Sequence, residues 1–375
     1  MAILYTNYKG KPVTAHSYSA GADFHKCKKY YQLKRIKGWR TKEDKASMRF
    51  GTALESAIQY FHSNELRPGA TAEEFIRLWT KVREIPNLVY TDKEGSWEAM
   101  LQMGTEMAKL YEVKLPNLPI RNPKFQLNYR KPLYPGTYLD GLEVTAYVDM
   151  LVPEPALLID IKTTGASFDT TPGIMALDPQ LRMYSWLSGV PNVAFMTFVK
   201  VTLSPYKKGD AVTLIHDGGS GDELVVAIND TEKNLVWALT PDNYTEFDAA
   251  TKGVKGKALD AIKNSVQEKF EAVSLDYSWI TKQRLQFLQS TISEEDRRET
   301  GEEVGRQVAE IYSHNEKNYW PKQPGVRFPD TKCAMCDMLP ICLDNKKQIE
   351  ETLVQLRPEP DKANEKDWLE ELVED

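Results

Sequence analysis

The sequence predicts an α/β fold in which a helical N-terminal region leads into a β-hairpin core and helices return after it. Apolar residues recur at helical spacing before residue 115 and after residue 174. Between them Leu142, Val144, Ala146 and Val148 alternate with Glu143, Thr145, Tyr147 and Asp149, and a second run, ALLIDIKTT, starts at Ala156. All four cysteines form one bracket around this core, with Cys27 near the start and Cys333-x2-Cys336-x5-Cys342 near the end. A thiolate site built from them would tie the two ends of the chain together.

Each element has its own signal. Residues 48–62 place Phe50, Leu54, Ala57, Ile58 and Phe61 on one helical stripe, and 73–85 and 97–114 read as further amphipathic helices. The turn Pro153-Glu154-Pro155 joins the alternating strand to the second run, which makes a hairpin. Helix is expected again over 174–188, strands over 193–203 and 211–228 around the turn HDGGSGDE, and mostly helix over 256–317. These shifts divide the chain into 1–130, helical with a basic strip and the first cysteine; 131–204, the hairpin and the helix after it; 205–305, an inserted β/helical segment; 306–348, an arm with three cysteines; and 349–375, an acidic tail.

Composition narrows the class. With 375 residues, 41% of them hydrophobic, and a mean hydropathy of -0.49, the chain can bury a core, and no apolar run approaches a membrane span. The N-terminus lacks the pattern of a secretory signal, so a reducing cytoplasm is expected and disulfides are disfavoured. A net charge of -6 argues against coating nucleic acid by bulk electrostatics. Neither an internal repeat nor a Walker-type phosphate loop is present, which argues against a fused motor.

Local charge is uneven. Lys26 to Lys45 holds nine Lys or Arg, among them Lys28, Lys29, Lys34 and Arg35, interleaved with Tyr30, Tyr31 and Trp39. This is either a DNA-binding strip or a solvated helix face whose aromatics belong to the core. The acidic tail, with Trp368, Leu369 and Leu372, is either disordered or a docking peptide for a protein partner.

Chemistry concentrates in the hairpin. Side chains two apart on a strand share a face, so Asp160 and Lys162 stand together about 7 Å apart along the backbone. Asp149 lies on the polar face of the partner strand, and opposed residues on paired strands approach to about 5 Å. Carboxylates that close repel unless a divalent cation joins them. Mg2+ or Mn2+ held by Asp149, Asp160 and the carbonyl of Ile161 could polarise a phosphodiester, with Lys162 orienting water or neutralising developing charge. The plainer alternative is a surface ion pair on a sheet edge. The cysteines suit Zn2+ or a 4Fe–4S cluster, which sequence spacing does not separate.

Taken in order, Ser17-Tyr18-Ser19, Phe24, Cys27, Tyr31, Gly51-Thr52-Ala53-Leu54-Glu55, Asp149, Asp160-Ile161-Lys162, Gln180-x3-Tyr184 and the three late cysteines resemble the PD-(D/E)XK nuclease superfamily. The likeness is to its RecB-like and CRISPR-associated exonucleases with an iron–sulfur staple, over 17–190 and 307–342. It implies a restriction-endonuclease-like core, a mixed central sheet flanked by helices. Asp149 and Asp160 are then metal ligands, Lys162 is catalytic, and Gln180 and Tyr184 contact DNA from one helix face. Glu55 stands where many relatives carry histidine, so the first ligand is expected to be a carboxylate, with His62 as a weaker candidate. For the cysteines the resemblance favours the 4Fe–4S cluster over Zn2+. The implied function is a Mg2+- or Mn2+-dependent DNA exonuclease on single strands or ends, in recombination, repair or phage replication. A non-catalytic DNA-binding subunit and a structure-selective endonuclease are the alternatives.

Overall fold

Six strands form the central sheet of the computed structural model, which describes residues 2–64, 67–91, 95–200, 214–216, 224–230, 235–239, 241–269, 273–276, 284–327 and 330–356. The turn HDGGSGDE falls largely outside the described residues, as does the tail from 357. The sheet comprises β1 (Ala15–His16), β2 (Lys124–Pro132), β3 (Glu143–Pro153), β4 (Ala156–Thr164), β5 (Asn192–Val199) and β6 (Arg284–Thr291). β4 and β5 run parallel, while β3–β4, β2–β3 and β5–β6 are antiparallel. The sheet is therefore mixed. Among the described residues no helix is long and apolar enough to cross a membrane.

Helices cover both faces. On one face pack α2 (Ala46–Asn64), α3 (Ala70–Val82) and α4 (Trp97–Lys114), burying Phe50, Leu54, Phe75, Trp79, Met107 and Tyr111 against Met150, Ile159, Met196 and Phe198. The stripe on α2 recurs at three- and four-residue spacing, which turns one side of the helix to the sheet. On the other face α5 (Pro179–Ser188) seats Leu181 and Tyr184 against Val148, Leu158 and Phe195. Asp178 starts α5 by accepting from the N–H groups of Gln180 and Leu181 at 2.9 and 3.0 Å, with Pro179 in the first turn. That cap breaks the helix expected over 174–188 into a short 3₁₀ turn and α5.

The N- and C-terminal arms meet. α1 (Tyr18–Lys26) packs beside α6 (Glu294–Glu316), where Phe24 joins Val308 and Ile311 in one apolar cluster. Tyr31 stacks on Trp320 at 5.6 Å, and Trp39–Thr41 pairs with Leu353–Gln355. The ends are thus tied by apolar packing and backbone hydrogen bonds.

The stretch 256–317 is mostly helical as expected, over Lys257–Asn264, Val266–Lys269 and Glu294–Glu316, but Val273–Asp276 and β6 interrupt it. β6 also brings a strand from within 205–305 into the central sheet, where it pairs with β5 along eight residues. Leu285 is buried in that sheet, and the open edge of β5 supplies backbone partners that no local periodicity announces. The remaining strands of that stretch, 214–216, 224–230, 235–239 and 273–276, form a separate antiparallel sheet.

Candidate active site

The site lies where β3 and β4 part. Their ladder runs from Pro153↔Ala156 to Met150↔Ile159 and ends there. β2 occupies the opposite edge of β3, and β1 takes over the vacated edge only at Glu143 and Val144. Between these stretches β3 has an open edge, and Asp149 sits at its start.

A backbone irregularity aims that carboxylate. The β2–β3 ladder pairs Phe125 with Met150 and Leu127 with Val148 but skips Gln126 and Asp149. Gln126 has φ of 50°, a left-handed conformation uncommon for a side chain of its size. Val148 and Met150 accordingly pack on opposite faces of the sheet, although two residues apart on a regular strand would share one. Asp149 Oδ2 then accepts from the N–H of Ile161 at 2.8 Å, satisfying a donor that β3 has left without a strand partner.

Asp160 is 1% exposed and projects toward α5. Its Oδ1 accepts from Gln180 Nε2 at 2.8 Å and from the Tyr184 hydroxyl at 3.1 Å, and Lys162 Nζ ion-pairs with its Oδ2. Oδ2 is buried and accepts no well-formed hydrogen bond. Glu55 arrives on α2. Gly51, one turn earlier, lets that helix approach β4, since a Cβ there would stand 3.2 Å from Thr163 Oγ1. Glu55 then accepts from the Gln126 side chain and lies within the fields of Asp160 and Lys162.

The electrostatics follow from crowding. Burial, then the neighbouring charges of Asp160 and Glu55, push the Asp149 carboxyl up to about 8. Burial and Asp160 raise Glu55 to about 7. Burial also raises Asp160, against the opposing pull of Lys162. Desolvation works to lower Lys162, but Asp160, Asp149 and Asp178 outweigh it and raise its pKa, so the ammonium keeps its charge. The structure therefore brings Glu55, Asp149, Asp160 and Lys162 together. Among the described residues, however, no three His, Cys, Asp or Glu side chains are gathered closely enough to hold one metal ion. Each carboxylate is turned to a protein partner of its own, as like charges in a poorly solvated site require.

The other sequence candidates divide. Gln180 and Tyr184 lie one turn apart as expected, yet their polar groups meet Asp160, and Gln180 Nε2 also donates to the Tyr184 hydroxyl at 2.6 Å. His62 bonds to the Tyr111 hydroxyl at 2.5 Å among Phe61 and Phe125, and burial lowers it to about 4. It faces aromatic rings, away from the carboxylates. Lys34 and Arg35 both bind Asp23, at 3.0 and 2.7 Å, Lys28 pairs with Glu310, and Lys29 donates to Gln32 at 2.7 Å. Tyr30 and Tyr31 are core residues, so neither offers a free stacking face.

Cys27, Cys333, Cys336 and Cys342 line one cavity of about 270 Å3, together with Tyr30, Leu33 and Met338. All four are free thiols and partly buried, and burial raises Cys336 and Cys342. Their sulfurs share a cavity without being gathered into a ligating set.

Sequence reasoning missed Gln126, which has no signal beyond the strand it interrupts. It also passed over Asp178, whose Asp-Pro step before an apolar helix is a readable N-cap signature.

Comparison with known families supplies the deciding observation. A family model for the PD-(D/E)XK nuclease superfamily matches residues 15–343. The chain belongs to the PD-(D/E)XK nuclease superfamily. That membership points to hydrolytic nuclease chemistry. No curated protein matches. Among solved structures, the crystal structure of SSO0001 is similar at 11% identity and a TM-score of 0.18. That likeness covers 39% of this chain and 57% of the other, and at this score it carries no argument.

Proposed function

We propose that the protein is a divalent-metal-dependent deoxyribonuclease, acting as an exonuclease on single-stranded DNA or DNA ends. The carrying observation is the convergence of Glu55, Asp149, Asp160 and Lys162 at the opening between β3 and β4. These residues fit a hard cation by two signs. Oδ2 of Asp160 is buried without a well-formed hydrogen bond, and burial together with the charge of Asp160 pushes both Asp149 and Glu55 toward neutrality.

Glu55, Asp149, Asp160 and the carbonyl of Ile161 would hold Mg2+ or Mn2+, which supplies Lewis-acid polarisation of the phosphodiester and a readily ionised water. Lys162, held charged by Asp160, orients the attacking water or neutralises the charge that develops on phosphate. Gln180 and Tyr184 keep the Asp160 carboxylate in one orientation and, in our reading, also meet the DNA backbone beside it. Lys28, Lys29, Lys34 and Arg35 would exchange their protein partners for phosphates along the strand's approach. The four soft thiols around one cavity suit a 4Fe–4S cluster, with Zn2+ as the alternative, whose role would be to clamp the N- and C-terminal arms.

End-labelled linear and circular single-stranded DNA, incubated with and without Mn2+, test this reading. Linear strands should be shortened from an end only with Mn2+, circles should survive, and Asp160→Ala should abolish cleavage. Nicked circles would make the enzyme an endonuclease, and no cleavage of any substrate would favour a non-catalytic DNA-binding subunit. Cleavage unchanged in Asp160→Ala would refute the site.

A further inference from the structure

One residue of β2 stands apart by its backbone. Among the described residues six other than glycine have a positive φ, and four of them are asparagine or aspartate, which tolerate it. Tyr134 lies beyond the end of β2, so Gln126, with φ of 50°, is the one of the six that sits inside a strand. A left-handed residue within a strand forfeits ladder bonds and costs energy, and such strain persists only where its surroundings impose it. Gln126 is exposed, so core packing does not impose it.

Two acids of the site adjoin this residue. The register places Gln126 opposite Asp149, between the pairs Phe125↔Met150 and Leu127↔Val148, and opposed residues approach to about 5 Å. Freed from the ladder at that point, Asp149 turns to the N–H of Ile161 at 2.8 Å. The Gln126 side chain meanwhile leaves its own strand, and its Nε2 donates to Oε1 of Glu55 on α2, 71 residues earlier in the chain.

A single residue therefore serves both carboxylates. Its backbone breaks the ladder beside Asp149, and its amide engages Glu55. A hydrogen bond made at so exposed a position adds little to stability, because water would satisfy both groups in its absence. What it supplies is orientation. With Oε1 taken by the amide, Glu55 has Oε2 to offer a cation. Carboxylates that ligate metals are held in this way by hydrogen bonds from residues that do not themselves touch the ion.

We propose that Gln126 is a positioning residue of the site: its left-handed backbone aims Asp149 and its side-chain amide fixes Glu55, so that the two acids are set for one divalent cation. The assignment rests on the metal-dependent nuclease reading and adds to it a residue that acts only through the acids.

The test is Mn2+ binding to the full-length protein without DNA, read from the electron paramagnetic resonance signal of the free ion. Gln126→Met keeps the length and backbone demand of the side chain and removes the donor. It should weaken Mn2+ binding by about tenfold or more, and excess Mn2+ should restore its cleavage rate. In a Glu55→Gln background the same change should cost no further affinity, because the amide acts through Glu55. Gln126→Val excludes the left-handed conformation, so it should weaken Mn2+ in that background as well, through Asp149. Melting curves in EDTA check that each variant folds, and there Gln126→Met and Glu55→Gln should shift the midpoint non-additively. Wild-type Mn2+ affinity in both Gln126 variants overturns the positioning role and leaves the nuclease standing. A further loss on adding Gln126→Met to Glu55→Gln also overturns it, since the amide would then act elsewhere. A wild type that binds no Mn2+, with the Gln126–Glu55 coupling still present in the melts, overturns the metal reading and the role together.

Discussion

Replacing Asp149 by Asn should stabilise the metal-free protein while destroying its activity. The carboxyl titrates near 3.8 in an unfolded chain but is pushed up to about 8 in the fold by burial, Asp160 and Glu55. The folded state thus keeps a proton that the unfolded state has lost, and stability must fall as pH rises from about 4 to 8. At pH 7 the three or so pH units between ionisation of the unfolded chain and the working pH correspond to about 4 kcal/mol. Against a typical folding stability of 5–15 kcal/mol that is a large fraction. Glu55 and Asp149 repel each other, so their shifts do not add, and one group sets the scale. Asparagine keeps an oxygen to accept from the Ile161 N–H and removes the charge. Urea unfolding of the metal-free protein, followed by the fluorescence of its eight tryptophans, should show Asp149→Asn more stable by up to about 4 kcal/mol at pH 7 and by under about 2 at pH 5. Mn2+ should stabilise the wild type more than the variant. A gain of zero at pH 7, or one that does not change between pH 5 and 8, would show that the crowding is not electrostatic.

Other perturbations probe the surroundings. Tyr184→Phe removes a hydroxyl from Asp160 and should lower kcat/KM or raise the Mn2+ requirement by about 10- to 100-fold while leaving the melting temperature nearly unchanged. Gly104→Ala would drive a methyl to within 1.9 Å of the Phe75 ring between α4 and α3, and should cost about 1–3 kcal/mol in thermal unfolding, whereas an unshifted melt would mean the two helices can separate freely. Cys333→Ser should reduce solubility and bound iron or zinc together, measured by elemental analysis, and a fully soluble, fully active variant would argue against the clamp.

Much of the core was legible. The period of two from Leu142 to Asp149 and the Pro-bounded turn announced the hairpin, and the polar positions 149, 160 and 162 stood out because strands alternate. The α2 stripe was visible for the corresponding reason at period 3.6. What escaped depends on partners far away in the chain. β6 is a strand because the edge of β5 is free, and nothing in RLQFLQST compels it. The skipped pair Gln126 and Asp149 joins two strands whose distortion has no local signature. Likewise, Lys34 and Arg35 read as free cations until folding brings them to Asp23.

By itself, then, the amino-acid order determined which side chains could do the chemistry and which segments would be helix or hairpin, since donor type and periodicity are properties of near neighbours. Tertiary structure alone decided that Glu55 comes within the field of Asp160 beside the parted strands, and that Gln180 and Tyr184 hold that aspartate. Those outcomes are set by how burial and charge balance once distant segments share a core, a balance that no short stretch of sequence contains.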